Sequence, residues 1–171
     1  MKNIVYFICA FFILMLSSAP VSSEARIVNT PYHSPKVVFD FYLDDPQKIG
    51  SALYWVRALM NPLMDDPYGI DPEFMDIVVV IHGTEIVTVA KKNHAKYKEV
   101  VGRMQYYANF GVEFKVCGLA AEDYDYSAKD FYEFIDLVPS AITELAHWQQ
   151  QGYALIAPNV MDKKFSIEEI R

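Results

Sequence analysis

Apolar positions along the chain fall into short blocks that alternate between two periods. Lys36-Val37-Val38-Phe39-Asp40-Phe41-Tyr42-Leu43 is rich in β-branched and aromatic residues and predicts a first strand. Asp45 followed by Pro46 is a helix start, with an N-cap acid and proline at the first helical position. Ile49, Leu53, Val56 and Met60 then recur at helical spacing, so a helix is predicted to about Met60, ended by Pro62 and the loop Asp65-Asp66-Pro67-Tyr68-Gly69. Asp76-Ile77-Val78-Val79-Val80-Ile81-His82 is apolar without alternation, as in a central parallel strand covered on both faces. Glu85 to Ala90 fits either a strand or a short helix. Lys96 to Phe110 reads as a helix, with Gly111 as its C′ residue. Val112 to Cys117 is a third strand closed by Gly118, and the acidic, tyrosine-rich Leu119–Phe134 is partly helical. Ile135 to Pro139 is a fourth strand. Ser140 caps a helix from Ala141 to Gln151, and Tyr153 to Ala157 is a fifth strand stopped by Pro158. Strands alternating with helices predict an α/β fold, a mainly parallel five-stranded sheet with helices on both faces.

The blocks also divide the chain. Lys2 precedes an unbroken apolar run from Ile4 to Leu16, and small polar residues lead to Ser23-Glu24-Ala25. That is the layout of a secretory signal peptide over 1–25, cut after Ala25. The run would span roughly 20 Å as a helix, short of the ~30 Å hydrocarbon core, so a retained anchor fits less well. No other segment is long and apolar enough to span a membrane. An N-terminal arm (26–35), the α/β domain (36–158) and a charged, loosely held tail (159–171) follow. The protein is then expected to be periplasmic or secreted.

Composition sharpens this picture. The 171 residues carry 15 basic and 22 acidic side chains, a net charge of −7, which argues against nucleic acid as a partner. Of the two cysteines, Cys9 lies in the signal run, so the processed chain keeps one, Cys117, and no internal disulfide is possible.

In parallel sheets, reaction sites lie at the carboxyl ends of strands. His82 ends the second strand and Cys117 the third, each followed by glycine, Gly83 and Gly118. A helix starting after Cys117 would aim free N–H groups at the thiol and favour thiolate. His82, on a neighbouring strand, would stabilise that anion or accept the thiol proton. Against this, free cysteine is among the most buried residue types, and Cys117 equally fits a small core residue. His33, His94 and His147 sit in the arm, in a lysine-rich stretch and on the fourth helix, and read as surface groups. No HxxxH, CxxC or EF-hand spacing is present, so a metal or haem centre using His82 and Cys117 is a third, weaker reading. P-loop, GxGxxG and GxSxG motifs are absent. The aromatic content, 15%, leaves tyrosines and tryptophans to spare for a subunit interface or for the core.

The ordered set Val37-Val38-Phe39, Ile77 to Gly83, Gly111 to Cys117 and Ala146 to Ile156 resembles the DsrE/DsrF-like family, in particular its small exported members. The resemblance implies a three-layer α/β/α sandwich and a homo-oligomer, often a trimer or hexamer. It also implies a link to sulfur trafficking, in which a cysteine carries persulfide sulfur between a donor and an acceptor protein. Cys117 would inherit that role with His82 beside it, Gly83 and Gly118 shaping the site, and no cofactor, since the sulfur rides on the cysteine. The competing expectation is a non-catalytic oligomeric binding or assembly module with a buried structural cysteine.

Overall fold

In the computed structural model, which describes residues 24–171, the five expected strands are β1 (Lys36–Phe41), β2 (Asp76–Ile81), β3 (Glu113–Cys117), β4 (Ile135–Val138) and β5 (Ala154–Ile156). All four pairings are parallel, and the strand order is β4-β3-β2-β1-β5. The signal segment predicted over 1–25 lies, apart from its last two residues, outside the described residues. Residues 24–30 fall in a unit distinct from Pro31–Arg171, which holds every described strand and helix. No helix among the described residues is long and apolar enough to cross a membrane.

Alternation along the strands builds two cores. Val37, Phe39, Phe41, Ile77, Val79, Ile81, Phe114 and Val116 face the larger one. It is closed by α1 (Ile49–Met64) and α2 (His94–Ala108), through residues such as Leu53, Val56, Met60, Met104 and Tyr107. Val38, Val78, Val80 and Cys117 face the smaller one, covered by Ala141 and Leu145 of a later helix, Ala141–Gln150. The intervening helix Gly118–Asp123 is α3, that later helix is α4, and a last short turn, Ile167–Ile170, is α5. Helices thus lie on both sides of the sheet. β2, buried at every position after Asp76, is the central strand its unbroken apolar run predicts.

Some boundaries shift from the sequence reading, most by one or two residues. Pro62 does not end α1, which runs on to Met64. Proline removes only the bond to the carbonyl one turn back, and Leu63, buried at 5%, packs the last turn onto the core. The ambiguous stretch after Gly83 takes its short-helix alternative, as 3₁₀ turns over Thr84–Val89. They form because Glu85 is drawn inside, as described below. The tail is not loose at its root, because Val160 packs against the larger core.

Candidate functional site

The smaller core's face carries polar side chains toward the carboxyl ends of its strands. On β1, Val38 faces the core and Asp40 lies two residues on, on the same side. On β2, Val78 and Val80 lead to His82, and on β3, Lys115 leads to Cys117. The β2–β3 register pairs Val80 with Lys115 and Ile81 with Val116, the residues just before His82 and Cys117. The two residues singled out from the sequence thus stand at the carboxyl ends of neighbouring strands.

His82 does not, however, hydrogen-bond the thiol. Its Nε2 lies 2.6 Å from Asp40 Oδ1, with side-chain exposures of 14% and 24%. Its ring stacks on Tyr42 at 4.8 Å between centroids. A carboxylate on one ring nitrogen fixes the tautomer and orientation of a histidine. Asp40 thus holds the imidazole at the sheet end. Its signal in the sequence is a charged residue at a core-facing position of an otherwise apolar strand.

Glu85 is the second missed residue. It is fully buried, and its carboxylate accepts from the backbone N–H of Leu43 (2.9 Å), Gly83 (2.9 Å) and His82 (3.2 Å). It clamps the ends of β1 and β2 together directly behind His82. Burial pushes its carboxyl above the usual range, and the backbone N–H donors of Gly83, Glu85, Leu43 and His82 work against that rise. Gly83 is glycine because there is no room for a side chain. A Cβ there would lie 2.5 Å from Glu85 Oε2 and 2.6 Å from Leu43 O. Gly118 is tight in the same way, with a Cβ 2.9 Å from Val138 O. Both glycines serve close backbone approach.

Cys117 is a free cysteine, 6% exposed, packed in the smaller core. Helix α3 begins at Gly118 directly after it, as the sequence reading requires. Next to it on β3, Lys115 is also inside, held by Glu113 (2.8 Å), Asp136 (3.2 Å) and, at 4.0 Å, Glu144. Burial works to lower the ammonium's pKa, but Glu113 and Asp136 carry it above its ordinary value. The site is therefore an Asp–His pair and a thiol on one sheet face, with a charged lysine cluster two residues before the thiol. Of the other histidines, His94 hydrogen-bonds Tyr132 Oη at 2.8 Å, and His147, exposed on α4, packs edge-on against Trp148. No group of three or more metal-ligating side chains converges among the described residues.

Among solved structures, the chain is similar to a protein of unknown function, MTH1491, from Methanobacterium thermoautotrophicum. The two share 22% identity and a TM-score of 0.59 over 73% of this chain and 100% of that one, a likeness of fold. No curated protein matches. The model of the DsrE/DsrF-like family matches residues 36–158, the span from β1 to just past β5 that contains Asp40, His82, Glu85 and Cys117. The chain belongs to the DsrE/DsrF-like family.

Proposed function

We propose that this protein is an exported sulfur carrier in which Cys117 accepts and passes on a single sulfane sulfur. The observation behind the reading is the place of Cys117: the carboxyl end of a parallel strand, next in the sheet to the strand whose end carries the Asp40-bonded His82, in a family linked to sulfur relay. In the loading step the Cys117 thiolate attacks a sulfane sulfur of a polysulfide or protein persulfide. A new S–S bond forms, the old one breaks, and the shortened donor leaves as an anion. In the unloading step an acceptor thiolate attacks the outer sulfur and Cys117 leaves as thiolate. The exchange is redox-neutral and asks nothing of a cofactor. In this reading His82, oriented by Asp40, takes the thiol proton or balances the persulfide anion. We further propose that the carrier works as a homo-oligomer, through exposed aromatics such as Tyr124.

Burial favours a second reading, an assembly module with a structural cysteine, because Cys117 is only 6% exposed and lies among Val38, Val78, Val80, Ala141 and Leu145. One experiment separates the two. Under the carrier reading, purified native protein incubated with polysulfide gains the mass of one or more sulfur atoms, mapped to Cys117, and Cys117→Ser abolishes the gain. Asp40→Asn slows loading while leaving the final extent unchanged. If the native protein takes up no sulfur, and the thiol is modified only after denaturation, the carrier reading is lost and the module reading stands.

A further inference from the structure

A cavity of about 950 Å³ lies away from the Cys117 face. It opens between α1, α2 and the start of the C-terminal tail, and these helices pack on the opposite side of the sheet. Helical spacing builds it: Tyr54 and Arg57 stand one turn apart on α1, and Arg103 and Tyr106 one turn apart on α2. Trp55 adds a second aromatic from α1, and Lys163 closes the cleft from the tail.

Its charge runs against that of the whole chain. The chain has 22 acidic and 15 basic residues, yet the lining contains three cations and no acid. Asp162, between two lining residues of the tail, acts instead on Lys48. Three lysines outside the cleft are matched to acids, in Lys36–Asp76, Lys48–Asp44 and the Lys115 cluster. Among the described residues Arg57, Arg103 and Lys163 form no ion pair; Arg103 spends one N–H on the Gly50 carbonyl at 3.2 Å and keeps its other donors. The aromatic walls are open to solvent, Tyr54 at 59%, Tyr106 at 57% and Trp55 at 39%. Cavities of about 300–1,000 Å³ with apolar walls and a few convergent polar groups are the usual form of small-molecule sites. Arginine contributes a planar fork for an acid group and a face that stacks on rings.

We propose that this cleft binds a small organic anion made of a flat apolar ring system carrying one acid group, the ring lying against Tyr54, Trp55 and Tyr106 and the acid between Arg57 and Arg103. The site is independent of sulfur chemistry at Cys117 and lies across the sheet from it, so its test is separate from that of the carrier reading.

Isothermal titration calorimetry with naphthalene-2-carboxylate as probe checks this, with naphthalene-2-sulfonate as a second anion and naphthalene-2-carboxamide as the uncharged match. Both anions should bind saturably at one site per chain, and the carboxamide about tenfold more weakly, the size of losing one charge-assisted contact. Arg57→Gln, an exposed position with no partner to lose, should weaken naphthalene-2-carboxylate about tenfold and leave the melting temperature unchanged. Raising the salt concentration should weaken the anions and not the carboxamide. Absence of saturable binding for both anions, equal affinity for the carboxamide, or unaltered affinity in Arg57→Gln would each overturn the proposal.

Discussion

Replacing Glu85 by alanine should cost on the order of 2–6 kcal/mol in urea unfolding. Its carboxylate is the partner of the Leu43 and Gly83 N–H groups, and shares that of His82 with the Phe41 carbonyl. Removing it leaves two backbone donors unpaired at a fully buried position, each worth about 1–3 kcal/mol, and opens a cavity besides. Against a total stability of about 5–15 kcal/mol for a domain, that is a large share. Glu85→Gln should fall between wild type and alanine, at about 1–3 kcal/mol, because one oxygen still accepts while the new NH₂ meets a donor. The two variants also test the pH behaviour. A carboxyl raised in the folded state binds its proton more tightly than in the unfolded chain. Its contribution to stability is therefore full below the unfolded value near 4.5 and is lost as the pH rises through the raised folded value. Wild type should show this decline above pH 4.5, and Glu85→Gln should flatten it. A decline of the same size in both proteins would assign it to another group.

The pattern of apolar blocks reads out nearly all of the sheet, because strand identity in a parallel α/β fold depends on short, continuous burial. Ile77 to Ile81 has no polar position to confuse, and it became the central strand. The site is legible only in part. His82 and Cys117 stand out because reactive side chains at strand ends are few. Asp40 and Lys115 are hidden by the same apolar context that identifies their strands, since one charge inside a hydrophobic run reads as a tolerated surface position. Their partners decide otherwise: Asp40 meets His82 from the neighbouring strand, and Lys115 meets acids from β3, β4 and α4. Such pairings depend on strand order, which periodicity does not give. Glu85 is hidden for a different reason. A glutamate after a strand looks like a solvated turn residue, and only the backbone geometry of Leu43 and Gly83 makes it a buried acceptor.

Gly83→Ala should be the most damaging single methyl in the domain, about 3 kcal/mol, with Gly118→Ala costing about 1–2 kcal/mol. The difference lies in what the added Cβ meets. At Gly83 it lies 2.5 Å from Glu85 Oε2 and 2.6 Å from Leu43 O, with Leu43 N closer still. Two of those atoms are backbone on the adjoining strand end, already joined to Gly83 through Glu85, so none can retreat alone. At Gly118 the nearest atoms are farther off, Val138 O at 2.9 Å at the end of the edge strand β4 and Pro139 O at 3.3 Å just after it. The two substitutions also displace different halves of the site. Alanine at 83 moves the backbone that carries His82 and lengthens the 2.6 Å contact to Asp40. Alanine at 118 moves the residue after the thiol and leaves that pair in place. In the folded protein, Gly83→Ala should slow sulfur loading at Cys117 to the rate of Asp40→Asn, and combining the two should add little further slowing, since both act through one imidazole. Additive slowing in the double variant would mean that Gly83 reaches the thiol by a route other than His82.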